Sequence, residues 1–344
     1  MQKNIKDLKT EGEIEDFMTE PTPGLIELSK KLKGSVIALG ATGKMGMEMT
    51  EMLLRADTAA GVKRRLGVAS GFSNPENEKK LNSLGVETFK GDLSNEEFVA
   101  SLPEAENVFF MAGFKFGSSG DYTKAYQMNI IMPYICGTKY RNSRIMVFSS
   151  GNFYPHTLVG LEGPAEDSKV DPQGIYGWTL LGREQAFKII AQKHGTKSCY
   201  YRLAYAQHFK YGVVVDICKA VMASDEFKIT FPCVNLISQR DANDAALKCL
   251  SLCENPPRPI NVSGPAVPVK EIVERVAKVM NKKIKITDSA EKSALLLSDN
   301  FAEKAFGPYR DGTNDIVDAI AAYISKGGKD WNKPTGFTSV NHKY

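Results

Sequence analysis

The chain has 344 residues, 42% hydrophobic and 24% charged, which is material for one large α/β domain with a smaller accompanying part. Its 44 Lys and Arg against 40 Asp and Glu leave a net charge of +4 without a basic stripe, which argues against nucleic acid or a membrane as partner. No apolar run approaches the roughly eighteen residues of a membrane span, and the opening MQKNIKDLKTEGEIEDF lacks an apolar leader core, so a cytoplasmic protein is expected. Six cysteines without CxxC spacing fit reduced, buried thiols, and four scattered histidines complete no metal site.

Residues 1–33 read as a helical preface, in which EGEIEDFMTE gives way to PTPG and then to the helix LIELSKKLKG; a surface extension or oligomer arm is expected. From Gly34 the pattern alternates strand and helix: SVIALG, KMGMEMTEMLLRAD, RLGVAS, ENEKKLNSLG, ETFKG, NEEFVASL, NVFFMAG, YTKAYQMNIIMPYICGTKY and RIMVFSSG. A Gly/Pro-rich loop over 151–174 leads to the helix GIYGWTLLGRE. Strand SCYYRLAY, helix GVVVDICKAVMAS, strand VNLISQR, helix ANDAALKCLSLC, strand PINVSG and helix VKEIVERVAKVM follow, with a last amphipathic helix TNDIVDAIAAYISKG. Alternation of this period predicts a Rossmann-type, doubly wound parallel sheet. The expected organisation is a helical arm over 1–33, a dinucleotide-binding domain over 34–200, a mainly substrate-facing part over 201–327 and a tail over 328–344.

The segment VIALGATGKMG sets Gly40, Gly43 and Gly46 between an apolar strand and a helix, with Thr42, Lys44 and Met45 between them. Glycines there allow a tight turn and close approach of a pyrophosphate to the backbone and the helix N-terminus. At the end of the second strand, where an acid would bond a ribose 2′-hydroxyl, stands Ser70. With Arg64, Arg65, Lys79 and Lys80 in the vicinity, NAD or NADP is expected, NADP slightly favoured.

Together these residues resemble the extended short-chain dehydrogenase/reductase superfamily, the NAD-dependent epimerase/dehydratase branch, from about Gly34 to about Gly327. By that resemblance Asp92 in GDL, followed by Leu93, is the adenine-contacting acid, and Met111, Ala112 and Gly113 lie beside the cofactor. Asn129 falls at the structural asparagine, and VFSSGNFYP puts the catalytic hydroxyl on Ser150. YYRLAY, with Arg202, and ISQRDANDAA, with Asp241 and Asp244, match later segments. The resemblance implies a tyrosine acting as acid or base, here Tyr176, a hydroxyl orienting the substrate oxygen, and a lysine one turn on that lowers the tyrosine pKa. A cation stabilises phenolate over phenol, and tyrosine's ordinary pKa near 10 is otherwise high for a base at neutral pH.

That lysine position holds Leu180, and no other YxxxK follows VFSSG. Lys115, in AGFKFG, is the preferred replacement, with Arg183, seven residues after Tyr176, as the alternative. Gly151 and Asn152 stand where related dehydratases carry an Asp-Glu pair, which disfavours dehydration. The expected activity is therefore NAD(P)-dependent hydride transfer to or from a sugar, sugar acid or polyol. The alternatives are an epimerase that retains its cofactor and a dinucleotide-binding regulator without turnover. Substrate contacts are expected from Lys115, Asn152, His156, Gln207 and His208, with Lys210 nearby; Phe116 could stack on a sugar ring, while core packing is expected for Trp178. A homodimer through two helices is the family expectation.

Overall fold

The structure, a computed structural model, describes residues 5, 8, 10–333 and 335–338. Seven strands, β1 (Val36–Leu39), β2 (Leu66–Ser70), β3 (Glu87–Lys90), β4 (Asn107–Phe110), β5 (Arg144–Ser150), β6 (Ser198–Leu203) and β7 (Arg258–Val262), form one parallel sheet in the order β7-β6-β5-β4-β1-β2-β3. This is the doubly wound arrangement expected from the alternation. Strands β1, β2 and β4 are buried along their whole lengths, as strands covered on both faces must be.

Alternate side chains enter two different cores. Val36, Ala38, Val68 and Phe109 face α2 (Pro23–Lys31), α3 (Gly46–Ala60) and α10 (Gln239–Cys249). Ile37, Leu39, Val108 and Phe110 face α5 (Glu96–Ser101), α7 (Met132–Lys139) and α8 (Gly174–His194). Helix α8 has little amphipathic contrast, yet it buries Phe187 and Ile190 against the sheet, each worth about 1.5–3 kcal/mol. A separate core joins α9 (Val213–Ala223), α11 (Val269–Val279) and α13 (Thr313–Ser325).

The N-terminal helices differ from the expected surface extension. Ile14, Phe17 and Met18 of α1 (Glu11–Met18) are buried in the core around α9, and Leu25 of α2 is buried against α3. Their apolar stripe is covered by this same chain. A capping box, with Thr10 and Glu13 each bonding the other's backbone N–H, starts α1.

The helix expected over YTKAYQMNIIMPYICGTKY is interrupted. It runs as α6 (Tyr122–Tyr126), a π-helical turn over Gln127–Ile131, and α7. Pro133 has no N–H to continue the ladder, and the Met132 N–H reaches back to the Gln127 carbonyl. Likewise VNLISQR is two short strands, Cys233–Asn235 and Ile237–Ser238, outside the main sheet. The Ser238 hydroxyl accepts from the Asp241 N–H, so α10 starts at Gln239.

The chain order reverses between β1 and β4, and this switch point opens a crevice at the carboxyl ends of the strands. Register sets Leu39 beside both Ala69 and Phe110, so Gly40 after β1, Ser70 at the end of β2 and Met111 after β4 share one edge.

Candidate active site

A cavity of roughly 380 Å³ occupies this crevice. One side is the glycine turn. Gly40 has a φ of +81°, and a Cβ there would lie 2.5 Å from the Ala112 side chain, so only glycine lets β1 turn this tightly against the loop after β4. A Cβ at Gly43 would meet nothing within 4 Å, which leaves the turn's backbone open to the cavity. The Gln239 amide ties the Lys44 carbonyl and the Glu48 carboxylate, bracing the start of α3 from α10. This exposed glycine backbone beside a helix N-terminus fits the diphosphate of a dinucleotide, and Gly40, Gly43, Lys44, Met45 and Gly46 would hold it.

The opposite rim carries Ser150, Tyr176 and Arg183. Ser150 ends β5, and its hydroxyl donates to Asn152 Oδ1 at 2.9 Å and accepts from the Asn152 N–H. Tyr176, in the first turn of α8, hydrogen-bonds Ser150. Burial pushes its phenol above the usual tyrosine range, opposed by the Arg183 charge and by the Ser150 bond.

Arg183 is 4% exposed and reaches the same cavity. Residues 176, 180 and 183 share one helical face, and helical side chains lean toward the N-terminus, which brings the longer arginine back towards the tyrosine. Its Nη1 donates to the Phe148 carbonyl at 2.7 Å and its Nη2 to Asn129 Oδ1 at 2.9 Å, while the buried Nε–H has no hydrogen-bond partner. A Cβ at Gly113 would crowd Nη2, the far end of the arginine side chain, so a larger residue there would push the guanidinium aside. With no counter-ion bonded to it, burial pulls its pKa down to about 10.

Lys115 is half-buried with Nζ 5.6 Å from the Tyr176 ring centre, and burial lowers it to about 8. Lys44 lies 3.2 Å over the Tyr211 ring and is lowered to about 7, first by burial and then by the charges of Lys333 and Lys115. Leu180, 1% exposed, packs with Phe153, Tyr154 and Leu297 and forms part of the wall without filling the cavity.

Several expected residues stand outside the cavity lining. Asn129 is fully buried in the π-turn and bonds both the N–H and the carbonyl of Phe114, and the Thr179 hydroxyl; it fastens the loop bearing Lys115 to α8. Asp92 is exposed and accepts from Ser94 in a local turn. Leu93 is buried in the core under α5 and α7, and Ala112 backs the glycine turn. Thr42 and Ser70 share a 2.6 Å hydroxyl bond at the end of β2.

Two expected substrate contacts are otherwise engaged. His208 accepts the Lys210 N–H at Nδ1, so Nε2 carries the proton and donates to Glu48 at 2.8 Å, with the Trp331 ring stacked 4.6 Å away. Gln207 lines the cavity, but its amide is spent on the Tyr205 carbonyl and the Val214 N–H of α9. Lys210 pairs with Glu11, and Trp178, expected in the core, is 57% exposed on α8. Asn152, His156 and Phe116 do line the cavity.

Cations thought to favour a 2′-phosphate lie elsewhere. Arg64 and Arg65 precede β2, at the end opposite Ser70, paired with Asp57 and Glu87; Lys79 pairs with Glu76, and Lys80 with Glu15 and Glu51.

Sequence reasoning missed the tail. Thr335, Gly336 and Phe337 form part of the cavity wall, and the Thr335 N–H and hydroxyl both donate to Asp216 on α9. Trp331 donates its N–H to the Lys210 carbonyl. No periodicity marks a segment that binds through single contacts. Tail residues 334 and 339–344 lie outside the described residues.

This sheet order, with a glycine turn and a Ser-Tyr pair flanking one crevice, is a Rossmann-type doubly wound fold shared with a set of solved enzymes. The particular likenesses are to sugar-nucleotide enzymes. The Campylobacter jejuni UDP-Glc/GlcNAc 4-epimerase superposes with a TM-score of 0.70 at 17% identity, over 85% of this chain and 99% of that one. The Thermus thermophilus UDP-glucose 4-epimerase, complexed with NAD, gives 0.67 at 17% identity over 85% and 99%. The Bacillus anthracis dTDP-glucose 4,6-dehydratase, also with NAD, gives 0.69 at 12% over 85% and 96%. The sequence matches no family profile and no curated protein.

Proposed function

We propose that this protein is a nicotinamide-dinucleotide-dependent oxidoreductase acting on a carbohydrate-like hydroxyl or carbonyl. The observation that carries the reading is the Tyr176–Ser150 pair, with Arg183 behind it, in one cavity with the glycine turn. When bound, the dinucleotide supplies the acceptor or donor of hydride. Ser150 fixes the substrate oxygen, and Tyr176 exchanges its proton. Raised by burial, the Tyr176 phenol is protonated at neutral pH, so it serves as the acid that completes carbonyl reduction. In the reverse direction the phenolate accepts the hydroxyl proton, and the positive charges of Arg183 and Lys115 favour that form. Arg183 thus takes the larger part of the role left open at Leu180, ahead of Lys115.

The choice between NAD and NADP rests on Ser70, since Arg64, Arg65, Lys79 and Lys80 are paired with carboxylates. A second reading, an epimerase that keeps its cofactor, draws support from the tail wall at Thr335 to Phe337, which would slow exchange, and from the epimerases of like fold. A regulator without turnover is less well supported, because polar groups reach an open cavity that Leu180 does not fill. A homodimer is supported by exposed apolar residues on adjoining helices, Tyr126 at 50%, Ile131 at 53% and Ile189 at 42%.

The test follows nicotinamide absorbance with NAD and NADP across sugars, sugar acids and polyols. Turnover is expected with at least one, and Tyr176→Phe should remove most of it with nucleotide affinity nearly unchanged. Full turnover in that variant would take Tyr176 out of the mechanism.

A further inference from the structure

Past α13 the described residues form neither helix nor strand, yet they reach the cavity wall. Gly327, with a φ of +83°, turns the chain off the end of that helix. From there the tail is held at separate points. Lys219 of α9 pairs with Asp330 at 2.7 Å, and at 46% exposure the lysine leaves that pair to solvent screening. Half-buried Trp331 donates its backbone N–H to the Lys210 carbonyl, and its ring stacks on those of His208 and Tyr211, with centres 4.6 and 6.2 Å away. Thr335 is tied to Asp216, and Phe337 packs against the core around α9. A segment with so few buried contacts and no hydrogen-bond ladder opens at a smaller cost in free energy than the helices beneath it.

The platform under the tail is fastened, by contrast, to the glycine turn and the helix that follows it. His208 is bonded to Glu48 of α3, and Lys44 of the turn lies on the Tyr211 ring. Both rings that receive Trp331 are therefore joined to the start of α3. Two residues on, the exposed Lys333 is near enough for its charge to act on Lys44. By themselves these like charges repel, whereas a diphosphate held by the glycine turn attracts both.

We propose that the tail, through Trp331, Lys333 and Thr335, is a strap that closes over a bound dinucleotide and sets the rate at which it leaves. Lys333 draws the strap toward the diphosphate, the Trp331 ring docks on His208 and Tyr211, and the Thr335 bonds seat Gly336 and Phe337 in the cavity wall. Release then requires the tail to lift from these contacts, a gating step of the kind that limits turnover in many enzymes. Such a strap rests on the reading of the glycine turn as a dinucleotide site and does not need hydride transfer.

The experiment uses the full-length protein with NADH or NADPH, whichever binds more tightly. The sequence has two tryptophans, and Trp178 is exposed on α8, so in Trp178→Phe the emission of Trp331 alone reports on the strap. Saturating NAD or NADP is expected to reduce the quenching of that emission by acrylamide. Release of the reduced nucleotide, followed by its own fluorescence after a chase with the oxidised form, is expected to quicken about tenfold in Trp331→Ala, the scale of a lost aromatic stack. Trp331→Phe keeps a ring on the platform and should release near the wild-type rate. Lys333→Met should release up to about fivefold faster, as loss of an exposed charge pair allows. Thr335→Val, which frees Asp216 from the hydroxyl, should release about threefold faster and serves if Trp331→Ala does not fold. Release within about twofold of wild type in both Trp331→Ala and Thr335→Val overturns the strap, whatever the quenching shows, and leaves the tail a fixed wall. Failure of the wild type to bind either dinucleotide removes the reading of the glycine turn, and the strap with it. Binding and gated release without turnover on any substrate leaves the strap standing and removes hydride transfer instead.

Discussion

Replacing Arg183 by Met removes the cation that opposes the burial-driven rise of the Tyr176 phenol. A neighbouring opposite charge moves a pKa by about 1–3 units, and each unit is about tenfold in the population of one form. Oxidation, which uses the phenolate, should therefore slow by about 10- to 1,000-fold at neutral pH and recover as pH rises, its titrating limb displaced upward by at least about one unit. The variant also gives up the bonds to the Phe148 carbonyl and Asn129, worth about 1.5–3 kcal/mol each, offset in part by relief of a buried charge. The assay is the pH–rate profile of oxidation with the substrate found above, beside nucleotide affinity and unfolding midpoint. Arg183→Lys keeps a charge and should hold the limb near the wild-type position. A uniform loss of rate with the limb unmoved would refute the reasoning, leaving Arg183 as a brace for the Phe114 loop.

The remaining expectations concern charge and packing around the same cavity. Lys44, with a pKa of about 7, is mostly neutral at pH 8, and the diphosphate of a bound dinucleotide should restore its proton; calorimetry at pH 8 in buffers of different ionisation enthalpy should read close to one proton taken up, and none at pH 6. Zero uptake at pH 8 would place the diphosphate away from Lys44. Leu180→Lys should destabilise rather than repair the site, because deprotonating a buried lysine at pH 7 costs about 4–5 kcal/mol. A buried lysine's pKa falls below its unfolded value, so that loss should shrink as pH rises toward 10; a wild-type denaturation midpoint at pH 7 with faster oxidation would mean the cation is simply missing. Glu184→Gln strands Arg202, which it holds at 2.7 Å while also accepting from Ser149, and a loss of about 3–5 kcal/mol is expected in urea unfolding. A change below about 1 kcal/mol would show that the pair is not a brace for the end of β5.

The sequence by itself determined the sheet and the position of the crevice. Runs such as VIAL and NVFF are wholly buried because strands covered on both faces must be apolar throughout, and a glycine turn between strand and helix has few other uses. That Ser150 and Tyr176 act together is implied by the resemblance of their motifs to a known family, and not by strand and helix order. Tertiary structure decided which neighbours each polar group would meet. His208 and Gln207 read as free ligands until Glu48, Lys210, Tyr205 and Val214 are brought to them from other elements. Arg64 and Arg65 are near Ser70 in sequence but at the other end of a strand, which extends about 3.3 Å per residue. The wall at Thr335 to Phe337 depends on Asp216, over a hundred residues earlier, and the cation beside Tyr176 depends on the reach of an arginine back along its helix. Periodicity records what a segment buries; pairings between distant segments leave no such trace.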